Sequence, residues 1–277
     1  MPSPALLQSL GYSIWTLLFA LSLGSFATVV AGRLWTDATK GYLGFTALCS
    51  ALLGALALLV DVNLAEPAAL AAIDAAPGLD LARRLGLAVF SVLALGYIVV
   101  IRRGERSPLV GLGGVVAGIA AGAVAAFGWT GDLALGIPLL IQYLVLAAAT
   151  GGSLAALLLG HWYLVTPRLG ERPLVLAARA LTWVVFIQLL LFLTWATMGV
   201  TAGAGAFPAL IGSSALLVWL RLLVGIVFPL ALAWMALKTA RTRSMESATG
   251  LLYLAVAAIM AGTIVATQLF YGEGLLV

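Results

Sequence analysis

YLGFTALCSALLGALALLVDV, residues 42–62, carries one charged side chain, Asp61, and is apolar at every helical angle before it. About 20 such residues cross the ~30 Å hydrocarbon core of a bilayer as an α-helix. Comparable stretches lie at roughly 9–32, 84–102, 108–129, 136–165, 174–199, 217–238 and 248–271, giving eight spans that fill most of the chain. They are too long and too uniformly apolar for barrel strands, and backbone groups in lipid must be satisfied within the segment. With 64% of the 277 residues hydrophobic and 9% charged, against about 25% charged in soluble domains, the fold class is all-α integral membrane.

The charges sit in the gaps. Arg33 and Lys40 lie in the first connection, Arg102, Arg103 and Arg106 in the third, and Arg168 and Arg172 in the fifth, with Arg179 just inside the next span. Lys238, Arg241 and Arg243 lie in the seventh. The even connections hold Glu66, Asp74, Asp80 and Asp132, with Arg83 and Arg84 as basic exceptions. By the positive-inside rule the odd connections are cytoplasmic and both termini external, as in a multi-pass protein of the cell inner (cytoplasmic) membrane. The net charge of +4 reflects these anchors, and no basic run interleaved with aromatics points to nucleic acid. The start, MPSPALLQSLGYSIW, has no basic segment ahead of its apolar run, so a retained first helix is expected rather than a cleaved signal. The single cysteine, Cys49, lies in the second span and cannot alone form a disulfide, a cluster site or a structural zinc site.

Gly24-Ser25-Phe26-Ala27 followed by Gly32-Arg33-Leu34-Trp35 has an echo in Gly152-Ser153-Leu154-Ala155 followed by Gly160-His161-Trp162-Tyr163. Arg84-Leu85 and Leu93-Ala94-Leu95 are echoed by Arg221-Leu222 and Leu230-Ala231-Leu232. Phe127-Gly128-Trp129 before Asp132 resembles Phe270-Tyr271 before Glu273. Spans one, three and four thus match five, seven and eight. Four spans per half make the repeat parallel rather than inverted. It divides one integrated membrane domain into four-helix halves at 1–132 and 133–277, with a seam between them where a ligand could lie.

Few polar side chains enter the spans. His161 is the only histidine, so a bis-histidine haem is ruled out, and a mixed site would need Met198, Met235 or Met260. His161 sits near the end of span five beside Trp162 and Tyr163, where an interfacial residue and a proton relay are both open roles. Arg84 and Arg221 open their helices on the outer side, as snorkelling anchors or as donors to a quinone carbonyl, a carboxylate or a partner subunit. Asp61 is a counter-charge, a proton acceptor or a solvated helix end. Gln142, Gln188, Gln268, Tyr143, Thr194, Trp195 and Tyr271 add donors that ordinarily bond between helices. Asp61, Arg84, Trp195, Arg221, Gln268 and Tyr271 are all expected toward the outer half. Gly114, Gly118 and Gly122 form a close-packing face on span four, for another helix of the chain or for a second copy. The sequence shows no metal-binding His/Cys cluster, phosphate-binding glycine loop or nucleophilic triad.

Eight spans, outward termini, two parallel halves and no haem histidine pair resemble the membrane anchors of polysulfide reductase and dimethyl sulfoxide reductase, the NrfD-like class. Locally the similarity rests on Gly151-Gly152-Ser153-Leu154-Ala155, Trp219-Leu220-Arg221 and Gln268-Leu269-Phe270-Tyr271-Gly272. The chain lacks the arginine that members of that class carry before the Phe-Tyr pair. The resemblance implies a haem-free subunit of a multi-subunit electron-transfer oxidoreductase that binds menaquinone or ubiquinone and exchanges electrons with an Fe–S partner. On that basis Arg221 and Tyr271 are candidate donors to the quinone, Gln268 an orienting amide, Trp195 a further contact, and Asp61 and His161 candidate proton-transfer groups. Such a chain would not complete a redox reaction alone. Two other classes remain open: a structural subunit anchoring a respiratory or photosynthetic complex, and a secondary transporter, for which Pro229 is the one obvious mid-span helix breaker.

The topology is tested by cysteine labelling in intact cells. A Glu105→Cys variant is expected to resist membrane-impermeant reagents, and strong external labelling there would reverse the orientation.

Overall fold

The computed structural model describes residues 4–64, 70, 76, 78–105, 107–166, 169–198 and 210–277. Glu66, Asp74, Arg106 and Arg168 lie outside the described residues, as does most of the sixth connection. The described residues are helical and include no strand. Eight helices are long and apolar enough to cross a membrane. They are α1 (Pro4–Trp35), α2 (Lys40–Val62), α3 (Asp80–Arg103), α4 (Pro108–Thr130), α5 (Leu133–Val165), α6 (Arg172–Met198), α7 (Ala215–Arg241) and α8 (Met245–Glu273). The charge-poor stretches underestimate most of these lengths, because flanking polar residues continue the helices as caps and last turns.

Local chemistry fixes the ends. The Tyr42 N–H donates to the Thr39 side chain at the start of α2, and the Leu135 N–H donates to Asp132 Oδ1 at 2.7 Å at the start of α5. Gly131, left-handed at φ +68°, ends α4, and Asp132 begins the next cap at once. The turn between the fourth and fifth helices is therefore tight. At one end of the bundle Arg33 donates to the carbonyls of Gly104 (2.6 Å) and Glu105 (2.9 Å), tying α1 to the end of α3. This is the basic end, which also carries Arg102, Arg103, Arg172, Lys238 and Arg241. The opposite, acidic end carries Asp61, Asp80, Asp132 and Glu273.

Lipid tails are as apolar as leucine, so helices associate by close packing and hydrogen bonds rather than by escape from water. The closest approach is between α1 and α5. A Cβ on Gly24 would lie 1.7 Å from the Ala147 carbonyl oxygen, and one on Gly151 would lie 2.4 Å from the Ser25 nitrogen. Of the Gly-Ser pairs that echo each other in the sequence, Gly24-Ser25 lies at this backbone-to-backbone crossing, where it meets Gly151 rather than Gly152. Around it the Ser25 and Ser50 hydroxyls join α1 to α2 (2.7 Å), and Thr150 and Thr263 join α5 to α8 (2.8 Å). The glycine face of α4 receives α1 of the same chain. Cβ atoms on Gly114, Gly118 and Gly122 would lie 2.6, 2.6 and 2.7 Å from Phe26, Leu23 and Phe19.

Each of α1 and α5 packs on the second and fourth helices of its own half, α2 and α4 or α6 and α8. Each also packs on the fourth helix of the other half: α1 on α8, and α5 on α4. Four helices, α1, α4, α5 and α8, thus form the seam. Gly24→Ala is expected to destabilise the chain by more than the ~1–3 kcal/mol usual for overpacking, because backbone must move. Gly152→Ala, whose Cβ would meet only Thr28 Oγ1 at 3.8 Å, is expected to be neutral; thermal unfolding in detergent measures both.

Candidate functional site

Two groups of buried polar side chains stand out. The first spans the seam at the acidic end. Asp61, near the end of α2, is fully buried and accepts from Arg83 Nε (2.6 Å), Arg83 Nη2 (3.1 Å) and Arg84 Nε (3.0 Å). Arg83 also pairs with Asp80 at 2.8 Å and lies 4.8 Å over the Trp129 ring. The Trp129 ring meets Trp15 and Tyr12 edge-on, with centroids 4.7 and 5.1 Å away, and Tyr12 lies 5.4 Å from Tyr271. The Tyr271 hydroxyl shares hydrogen bonds with Thr16 (2.8 Å) and Tyr143 (2.5 Å). One turn earlier, Gln268 accepts from Ser9 and donates to Ser13, each at 3.0 Å. Gln142 donates to the Val277 carbonyl at 3.0 Å.

The chemistry of this network is that of closure. Both Asp61 oxygens are occupied by guanidinium groups, and Tyr271 and Gln268 bond to α1 and α5. The donor left over in this network is Trp15 Nε1, buried and without a hydrogen-bond partner among the described residues. Of the residues singled out in the sequence, Tyr271 and Gln268 come together here, and Asp61 joins them through Arg83 and Trp129. Arg83 is the member that sequence reasoning passed over. Its signal was present: the buried stripe Leu87, Phe90, Ala94, Tyr97 and Ile101, followed back one turn, reaches Arg83 and not Arg84. Arg84 keeps its side chain 37% exposed.

The second group lies within α6, α7 and α8. Pro229 has no N–H, so the Gly225 carbonyl four residues before it loses its helical donor. The backbone widens into a π-turn over Leu223–Val227, and Phe228 N–H donates to Leu223 O. Arg221, 1% exposed, extends toward this turn and donates from Nη1 to the freed Gly225 carbonyl at 3.4 Å. The guanidinium lies over the contact between α7 and α8, where a Cβ on Gly262 would lie 2.4 Å from Gly225 Cα and 3.0 Å from Arg221 Nη1. Arg221 Nε has no hydrogen-bond partner among the described residues, and no carboxylate there pairs with it. The connection from residue 199 to 214 contains no acidic residue that could do so.

α6 packs on the π-turn and carries Gln188, buried at 2% exposure with Nε2 and Oε1 both unpartnered among the described residues. Gln188 and Gly225 each lie roughly 15 Å of helix from the acidic end, at one depth. Trp195 is buried two turns nearer that end on the same helix. Among the described residues, neither Arg221 nor Trp195 joins the hydrogen bonds of Tyr271 and Gln268. His161 is distant from both groups: it is exposed near the basic end, with Nδ1 3.4 Å from the Tyr253 hydroxyl.

No protein-family model and no curated protein sequence matches the chain.

Removing one partner of a buried ion pair leaves an uncompensated charge, at a cost of about 3–5 kcal/mol, whereas replacing both by apolar residues is often near neutral. Asp61→Leu is accordingly expected to lose about that much stability. Asp61→Leu combined with Arg83→Met should recover most of it, because Arg84 is free to reach solvent. Unfolding titrations in mixed micelles compare the two.

Proposed function

We propose that this chain is a haem-free, quinone-interacting membrane subunit of a multi-subunit electron-transfer oxidoreductase, similar to the NrfD-like anchors, with its quinone headgroup at Arg221. The observation that carries the reading is a fully buried guanidinium with an unused Nε and no counter-charge among the described residues. A quinone fits such a site because its carbonyls accept hydrogen bonds without bringing a second full charge into an apolar bundle. Menaquinone or ubiquinone would supply the two-electron, two-proton couple. Arg221 would hold one carbonyl, and Gln188, with donor and acceptor both unpartnered among the described residues, would orient the ring. Trp195 is a candidate contact above it. Tyr271, Gln268 and Asp61 are reassigned in this reading to closing the seam, and His161 to the basic interface. Electrons would pass to or from an Fe–S partner docked on the complex.

We further propose that the two halves, 1–132 and 133–277, arose by parallel duplication, with both termini external and the basic end cytoplasmic in the inner membrane. The pairing of each half's first helix with the other half's fourth supports an approximate two-fold relation. Burial supports it too. Phe90, Ala94, Tyr97 and Ile101 on α3 correspond to Pro229, Ala233, Ala236 and Ala240 on α7, all buried. Carried back across the π-turn, which holds one residue more than an α-turn, the register sets Arg221 against Arg83. That replaces the pairing with Arg84 suggested by the sequence. The counterparts then differ in one respect: Arg83 has Asp61 and Asp80, and Arg221 has neither.

Arg221→Ala is expected to lower quinone affinity and quinol-linked turnover roughly ten- to a hundredfold, the value of a charged hydrogen bond of about 1.5–3 kcal/mol, while the complex still assembles. Arg84→Ala should leave quinone turnover unchanged. Normal turnover with failed assembly in Arg221→Ala would support a structural subunit instead.

A further inference from the structure

The seam is open on one side near the basic end. A cleft of about 650 Å³ runs there between α4 and α6, with α1 and α5 as its floor. Ile119, Gly152, Leu176, Ala177 and Ala180 line it, and Trp35 stands at its mouth. The hydroxyls along it are already used: Thr28 donates to Gly24 O (2.8 Å), Thr36 to Gly32 O (2.6 Å) and Tyr42 to Ala155 O (2.9 Å). Whatever enters the cleft is therefore hydrocarbon.

The rim has the opposite character. On α6, Arg172 and Arg179 flank Leu176 at i−4 and i+3, so both lie on the stripe beside the cleft-lining face. Both are exposed, and neither has a hydrogen-bond or ion-pair partner among the described residues. Arg179 lies roughly 10 Å along α6 from its basic end, a depth from which a long side chain snorkels back to the headgroup layer. A long apolar slot below two unpaired guanidiniums matches one amphiphile: an acyl chain beneath a negatively charged phosphate.

We propose that this cleft holds one anionic phospholipid, with an acyl chain between α4 and α6 and its headgroup phosphate at Arg172 and Arg179. Arg221 lies on α7, which contributes no residue to the cleft, so the two sites can be tested separately.

Native mass spectrometry of the full chain tests it, using detergent micelles doped with equal amounts of phosphatidylglycerol and phosphatidylcholine. The expected result is one retained phosphatidylglycerol, preferred roughly ten- to thirtyfold, as two surface arginines provide. Arg172→Gln combined with Arg179→Gln should remove the preference while some lipid is still retained. Gly152→Leu, whose Cβ has room beside Thr28, should fill the slot and reduce retention of both lipids. Equal retention of the two lipids by the native chain overturns the proposal without any variant, as does a preference that survives loss of both arginines. A lipid-soluble quinone found in the cleft in place of phospholipid overturns it too, and leaves the Arg221 measurement to stand or fall separately.

Discussion

The contact of α1 with α5 at Gly24 and Gly151 governs the rest of the architecture. Two backbones meet there with no side chain between them, and dispersion between such surfaces is what holds helices together where water does not. The crossing sets which helices can reach the seam. α4 fits against α1 because its glycines admit Phe19, Leu23 and Phe26, and α8 is drawn in beside α5 through Thr150 and Thr263. The polar network at the acidic end follows, since Tyr12, Thr16, Trp129, Tyr143 and Tyr271 come from those four helices.

The same solvent that weakens hydrophobic driving forces makes polar errors expensive. Most buried hydroxyls here return to a carbonyl in their own helix or bond across to a neighbour, as Ser25, Ser50, Thr150 and Thr263 do. Against that background Arg221 and Gln188 differ from Asp61. All three are buried, but Asp61 is saturated by the chain itself and the other two retain unused capacity. Unused capacity in hydrocarbon is a better guide to a ligand than polarity alone. On the proposed reading, a buried guanidinium with unused capacity outweighs the single unpartnered Trp15 Nε1 of the tyrosine cluster.

The spans, their order and the division of charge between the connections were legible in the sequence, because length and apolarity report directly on a bilayer. Gly24 and Gly151 were visible as members of small-residue runs, although only the structure makes them a crossing point. The site was half legible. Arg221, Tyr271, Gln268 and Asp61 were visible as polar residues in apolar runs, but their partners depend on helix rotation, which a chain apolar on all faces barely encodes. Asp61 could have served either arginine half. Only the stripe from Leu87 to Ile101 assigns it Arg83, and only the structure shows that α6, which carries Gln188, packs on the π-turn. What Pro229 does was not legible: it lacks the N–H that would bond the Gly225 carbonyl, to which Arg221 donates instead.

A widened turn of this type differs from a plain helical turn by one inserted residue. If the halves are copies as proposed, a single-codon insertion in one, together with the absence of an acid like Asp61 from the neighbouring helix, would turn a self-neutralised arginine into one left open. On the proposed ancestry, the first half keeps the arginine neutralised, by Asp61 and Asp80. The second half would thereby be released to acquire a chemistry of its own.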